Sequence, residues 1–339
     1  MNILAIETSC DETSAAVIMQ RHGIAQITSN VVASQIAIHA RTGGVVPEVA
    51  AREHVGPIIP SVTQALRRAR CTLKDMTEIA VTAGPGLHTA LAVGVETAKA
   101  LSYALGKPLI PVNHIHGHIA ANWNGRRPIL PALSLVVSGG HTELILISRN
   151  MTLRRLGSTR DDAAGECFDK TAQLLRLGYP GGPAIERMAA QGNPSAYDLP
   201  HPMLTEKNLE FSFAGLKTSV RYLVEKDRTI LRSRRKVADL CASIQKAIVD
   251  VLVEKTMRAA RQYRPKEILL AGGVAANKEL RQRLSRAARH LPWHPTYHQP
   301  PLPLCMDNAG MIGLAAAHFP GTSKRSAWKT TDIAPGLSV

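Results

Sequence analysis

The chain has 339 residues, 45% of them hydrophobic and 4% aromatic, which suits roughly two globular domains and excludes a disordered or fibrous chain. Lys and Arg number 41 against 26 Asp and Glu, a formal charge of +15, so an anionic partner is expected, nucleic acid first. The five cysteines, Cys10, Cys71, Cys167, Cys241 and Cys305, show no CxxC spacing, which argues against a disulfide framework or a cysteine zinc site and fits a reducing compartment.

No basic leader opens the chain and no run of 18 apolar residues follows, so neither secretion nor membrane spanning is expected. Asn2 to Glu7 reads as a strand, Thr8 to Ser14 as a small, hydroxyl-rich, acidic turn, and Ala15 to Met19 as a second strand. Such a turn can present backbone N–H groups to a phosphate, or to a metal attached to one, although a plain surface hairpin reads the same way. Ile24 to Val32 completes a meander, and Glu48 to Arg68 reads as helix despite Gly56, Pro57 and Pro60. Ile79 to Thr82 is a strand ending in Gly84-Pro85-Gly86. Leu91 to Leu105 follows at helical spacing, its start offering a second N–H cluster.

Lys107 to Pro111 reads as a short buried strand leading to Val112-Asn113-His114-Ile115-His116-Gly117-His118, with helix expected over Ile119 to Trp123. Residues four apart share a helix face, so His114 and His118 can reach one metal. The pair alone is weak, because 13 histidines in 339 residues give about 0.5 such pairs by chance. His290, His294 and His298 supply two more pairs, but Pro292 and Pro295 break any helix there. Arg126-Arg127-Pro128 looks like a domain boundary. Beyond it the pattern restarts, with Leu133 to Val137 as strand, Ser138 to Thr142 as turn and Glu143 to Ser148 as strand, which suggests a duplicated architecture. Asp161 to Lys170 leads into a helix, and Arg228, Arg232, Arg234, Arg235 and Lys236 form a basic run of the kind that is usually a solvated face. Val237 to Tyr263 reads as a long helix and Glu267 to Ala271 as a strand. Asp307 precedes a small-residue helix running to His318.

The runs ETSCDET, GGVVPEVAAREH, AGPGL, VNHIHGH, VSGGHT, DDAAGECFDK, YPGGP, FSFAGLKT, GGVAAN and CMDNAGM, in this order, resemble the tRNA N6-adenosine threonylcarbamoyltransferase (TsaD) family from Ile3 to about His318. The resemblance implies an α/β, duplicated actin-like/sugar-kinase/Hsp70 (ASKHA) fold of two similar domains with a cleft between them. The expected boundaries are 1–126, completed by a C-terminal helix over 308–326, and 127–307. It implies transfer of a threonylcarbamoyl group from threonylcarbamoyl-adenylate to N6 of the adenosine 3′ of the anticodon in tRNAs reading codons that begin with adenine, releasing AMP.

Carried onto this sequence, the family's metal ligands fall on His114, His118 and Asp307, for one divalent ion, iron favoured and zinc possible. Substrate contacts fall on Val136, Val137, Ser138, Gly139, Gly140, Asp169, Gly182, Glu186 and Asn277. Asp11 and Glu12 are the candidates for taking the amine proton, Glu12 preferred for its reach, with a turn-capping role as the plainer reading. Three positions depart from the family pattern: His116 where Glu is frequent, Ala214 where Ser is common, and Met306 where Thr is common. His116 is expected to be solvated or to sit behind the ligands, and Met306 to weaken the surroundings of Asp307. Implied partners are tRNA, threonylcarbamoyl-adenylate and either helper proteins (an inactive paralogue and a small ATPase) or a second copy. No membrane is implied, and a bacterial cytoplasm is the expected location. A metallopeptidase would need HExxH, but position 115 is Ile. An ATP-dependent kinase or a non-catalytic nucleotide-binding partner of the same fold is the remaining alternative.

Overall fold

The computed structural model describes residues 1–319 and 328–339. Among the described residues ten strands form two five-stranded sheets, and the chain divides into two compact units, Met1–Pro128 with Pro300–Val339, and Ile129–Gln299. The return to the first unit thus falls at Pro300 and not at 308, so Asp307 belongs with the two histidines.

In the first unit, β1 (Asn2–Glu7), β2 (Glu12–Arg21) and β3 (Ile24–Ser34) form the antiparallel meander. β4 (Glu78–Gly84) and β5 (Leu109–Asn113) then add in parallel beyond β1, for the order β3-β2-β1-β4-β5. β1 and β4 are buried over nearly their whole length, as strands covered on both faces must be. The helices are α1 (Ile36–His39), α2 (Pro47–Val55), α3 (Ile58–Ala69), α4 (His88–Leu105), α5 (His114–Ala120) and, from the returning chain, a last helix over Ala309–His318. The helix expected over Glu48 to Arg68 is two helices, split at Gly56-Pro57, because proline lacks the N–H that would continue the ladder. The last helix was expected over 308–326; its described part ends at His318, and residues 320–327 lie outside the described residues.

The second unit repeats the plan. β6 (Ala132–Val137), β7 (Thr142–Ile147) and β8 (Leu153–Ser158) form a meander, and β9 (Glu267–Ala271) and β10 (Thr296–His298) add in parallel, for the order β10-β9-β6-β7-β8. Strand for strand this is the order and direction of the first sheet, so the duplication suggested by the two hairpins is real. Its helices are α6 (Ala164–Leu174), α7 (Gly181–Ala189), α8 (Ala214–Lys226), α9 (Arg234–Tyr263) and α10 (Lys278–Arg289); the last helix of the chain is therefore α11. No described helix is long and apolar enough to cross a membrane.

One core contact carries a pH dependence. His318 is buried with its ring 5.5 Å from that of Trp123, and burial lowers its pKa from 6.5 to about 4. The unfolded chain therefore binds a proton between those values that the folded chain does not. Stability is full above pH 6.5 and falls as pH drops toward 4, by up to about 3 kcal/mol for this group. His318→Phe should flatten that acid limb in denaturant titrations run from pH 7 to 4; an unchanged limb would remove His318 from it.

Candidate metal centre

Glu7, Gly84 and Asn113 end three parallel strands of the first sheet at one edge, the edge where open α/β sheets bind ligands. At the end of β5, Asn113 caps α5 by accepting a hydrogen bond from Ile115 N at 2.8 Å, which makes His114 the first helical residue. The helix thus begins five residues earlier than expected, and both histidines lie on it. Asn308 caps α11 in the same way, accepting from Met311 N at 3.1 Å, which fixes Asp307 just before that helix. The two helices meet at Gly117. A Cβ there would lie 2.8 Å from Ile312 Cδ1 and 3.2 Å from Met311 Cγ, so a larger residue would have to displace those side chains.

The result is a convergence of three donors. His114 Nε2 lies 3.4 Å and His118 Nε2 3.3 Å from Asp307 Oδ1, and the three donor atoms fall within 4.8 Å of one another. Donors held about 2.0–2.2 Å from a tetrahedral ion are separated by about 3.3–3.6 Å, so two of the edges already have the size of a metal polyhedron. His118 is buried, and neither ring nitrogen has a hydrogen-bond partner. Buried polar atoms are seldom left unpaired, and a bound cation would satisfy this one. The residues therefore fit a divalent ion with mixed imidazole and carboxylate ligands. Burial works against charge on Asp307, but His114 and His118 outweigh it and hold the carboxyl far below its usual range. Burial also opposes a charge on His114, where Asp307 and Glu7 prevail and raise the pKa; for His118 burial prevails and lowers it.

Glu7, the first residue of the ETSCDET run and one to which the sequence assigned no role, stands beside His114. It is fully buried, and its Oε2 lies 3.2 Å from His114 Nδ1 and accepts from Thr82 Oγ1 at 2.5 Å. Ser9 Oγ reaches the same His114 nitrogen at 3.1 Å. A carboxylate on the far nitrogen fixes the tautomer and leaves Nε2 as the ligand. The available signal was a lone acid closing the otherwise apolar strand NILAIE. Asp11, in the turn after β1, and Glu12, the first residue of β2, are both buried. Burial and the Asp307 and Asp11 carboxylates push Glu12 up to about 10.

Two expectations for this unit need correcting. His116 is not solvated: it is 6% exposed, packs on Phe319 at 5.1 Å between centroids, and is lowered to about 4 by burial. The Gly84-Pro85-Gly86 turn is not an open N–H cradle either. Gly86 N donates to Pro335 O at 3.2 Å, Leu87 N donates to Ser9 O at 2.8 Å, and the segment from Ala334 to Ser338 lies along it as far as Asn113. Met306 is exposed, and its carbonyl accepts from Asn308 Nδ2 at 2.7 Å, so a backbone bond supports Asp307 where a hydroxyl is missing. At Ala214, the start of α8 is capped by Asp161, which accepts from Phe213 N at 2.8 Å and Ala214 N at 3.2 Å.

In the second unit, Val136 and Val137 end the buried strand β6 and Ser138-Gly139-Gly140 is the turn that follows. Ser138 O accepts from Gly165 N at 3.2 Å, and a Cβ on Gly165 would lie 2.4 Å from that oxygen, so the turn sits directly on the start of α6. Gly139, Gly140 and Gly182 have open space at their Cβ positions. Asp169 accepts from Gly181 N at 2.7 Å and so lies beside Gly182. Glu186 accepts from Lys278 N at 2.6 Å, beside Asn277, which caps α10 through Leu280 N at 2.9 Å and donates to Gln245 at 2.8 Å. The nine expected contacts thus fall into three local groups. The polar side chains among them are already tied to backbone, but each carboxylate keeps acceptor sites to spare.

Fold comparisons define the class. The chain resembles the HypF of T. kodakarensis (TM-score 0.62, 12% identity, 96% of this chain and 49% of that one). It also resembles (R)-2-hydroxyglutaryl-CoA dehydratase component A of Acidaminococcus fermentans (TM-score 0.52, 13% identity, 95% and 99%). The fold is thus the duplicated actin-like/sugar-kinase type. Sequence comparison is more particular. The family model described as TsaD, tRNA N6-adenosine threonylcarbamoyltransferase, matches residues 26–314. Proteins of that name in Moorella thermoacetica (52% identity, 93% of this chain and 91% of that one) and Dehalococcoides mccartyi (49%, 100% and 99%) align along nearly the whole length. The chain belongs to the tRNA N6-adenosine threonylcarbamoyltransferase family, and it is a transferase acting on tRNA.

Proposed function

We propose that this transferase takes threonylcarbamoyl-adenylate as donor and modifies N6 of the adenosine 3′ of the anticodon, in tRNAs reading codons that begin with adenine, with release of AMP. The observation that carries the reading is the convergence of His114, His118 and Asp307. These three residues would hold one divalent ion, iron by preference or zinc, which would supply a Lewis acid and an anchor for the donor. The chain's own residues do the rest. Glu7 and Ser9 orient His114. The adenosine N6 lone pair is delocalised into the ring, so it attacks the carbamoyl carbon well only when positioned, the C–O bond to AMP breaks, and the amine gives up a proton. Glu12 accepts it, once a cation beside Asp307 offsets the charge that keeps that carboxyl protonated, or Asp11 does. The Ser138-Gly139-Gly140 turn, following Val136 and Val137, is assigned to the donor's phosphate, and Asp169, Gly182, Glu186 and Asn277 to its nucleoside. The helper proteins, the alternative of a second copy and the cytoplasmic location belong to the same proposal and rest on the sequence resemblance. The test incubates the protein with synthetic donor and unmodified tRNA and measures modified nucleoside and AMP in parallel. Equal amounts support the reading; ATP hydrolysis without tRNA or donor would instead favour a kinase-type activity.

The tRNA contacts are assigned mainly to the second unit. It holds 27 of the 41 Lys and Arg against 16 of the 26 Asp and Glu, leaving 14 against 10 in the first. In the basic run, Lys236 pairs with Asp227 and Arg235 with Asp239, while Arg228, Arg232 and Arg234 are exposed and pair with no described residue. Reversing Arg228 and Arg234 to Glu should flatten the log–log salt dependence of tRNA binding by roughly 0.7–0.9 for each phosphate no longer neutralised. An unchanged slope would remove this run from the interface.

A further inference from the structure

A chain of hydrogen bonds outside the metal site runs into the acidic turn, and its direction is fixed at every link. Val46 N can only donate, so His39 Nδ1, 3.4 Å away, accepts. His39 Nε2 then carries the hydrogen and donates to Gln35 Oε1 at 3.1 Å. That turns the Gln35 amide nitrogen toward His54 Nδ1 at 3.4 Å and the Ala50 carbonyl at 3.2 Å. His54 Nδ1 is therefore an acceptor, receiving Thr13 Oγ1 at 2.8 Å as well, and its Nε2 donates to Cys10 O at 3.1 Å. His54, His39 and Gln35 are all buried, and burial lowers the pKa of His54, in keeping with a neutral ring. The carbonyl at the end of the chain belongs to the residue before Asp11 and Glu12. Gln35 N also donates to Asp11 O at 3.0 Å, and Ser34 Oγ to Glu12 Oε1 at 3.2 Å.

We propose that His54 is a positioning residue for the transfer reaction: its neutral ring, aimed by Gln35 and Thr13, clamps the Cys10 carbonyl and so holds Asp11 and Glu12 in register with Asp307. The inference rests on the assignment of one of those acids as proton acceptor. It differs from a packing role because it requires one particular nitrogen. A glutamine at 54 can place its amide N–H near the position of Nε2, whereas an asparagine reaches only the position of Nδ1 and leaves Cys10 O unbonded. His54→Gln should therefore keep kcat within about threefold of wild type, while His54→Asn loses tenfold or more, with metal content and the KM for tRNA unchanged in both. Wild-type kcat in His54→Asn, or equal losses in the two variants, would overturn the proposal. Should His54→Asn not fold, Thr13→Val decides instead, since it keeps the volume and removes the shorter of the two bonds that aim the ring: reduced kcat supports the clamp and full kcat overturns it. Full transfer in both Asp11→Asn and Glu12→Gln would overturn the underlying assignment and the clamp together, whereas the failures above touch only His54.

Discussion

His118→Ala is expected to yield folded protein that retains almost no metal and less than about 1% of wild-type transfer. Two ligands hold an ion far less well than three, and without it the donor loses both Lewis acid and anchor. Folding should survive, because each unit closes a core of its own and a domain of this size does not need an ion to do so. The matched control is His116→Ala, two residues away on the same helix. Its ring packs on Phe319 and takes no part in the donor cluster, so metal content and transfer should stay at wild-type levels while stability falls by about 2–4 kcal/mol. Elemental analysis, a transfer assay and denaturant titration separate the two variants. Full metal occupancy in His118→Ala, or loss of metal in His116→Ala, would mean that the wrong histidines have been assigned.

Why those histidines were legible, and Glu7 was not, follows from how each signal is written. The His114/His118 spacing is local, and four residues on a helix leave little freedom. Asp307 lies 189 residues beyond His118, and spacing alone could not bring it there; its assignment needed the order of motifs along the whole chain. The two meanders were legible as period-two patterns bounded by polar turns, and the shared strand order bears the duplication out. β8 and β10 were missed because neither carries an apolar alternation: Leu153–Ser158 has two adjacent arginines, and Thr296–His298 is three residues long and follows a proline. His116 was misjudged for a related reason. A helical wheel predicts which side chains leave the ligand face, but not that a second hydrophobic surface, here Phe319 and α11, lies on the other side. Open glycine turns and occupied ones also look alike in sequence. Gly139 and Gly140 are open, whereas Gly86 is closed by Pro335 from the far end of the chain.

Glu12→Gln should show opposite effects on activity and stability. If Glu12 takes the amine proton, an amide at that position cannot, and kcat should fall by about 10²–10⁴ with metal content and the KM for tRNA unchanged. The amide oxygen can still accept from Ser34, so the turn keeps its bond. Stability should move the other way in metal-free protein. Burial and the Asp307 and Asp11 carboxylates raise Glu12 from 4.5 to about 10, so between those values the folded chain holds a proton that the unfolded chain has released. For an acid raised in this way, stability is full below pH 4.5 and drains away as pH rises. At pH 7 the cost is up to about 3 kcal/mol, which a neutral amide does not incur. Metal-free Glu12→Gln should thus melt above metal-free wild type at pH 7 and lose that advantage as pH falls toward 4.5. A residue that only capped the turn would show the reverse, lower stability with transfer largely kept. Asp11→Asn completes the comparison: if it abolishes transfer while Glu12→Gln does not, the proton goes to Asp11, and the raised pKa of Glu12 reflects its burial and the carboxylates of Asp307 and Asp11.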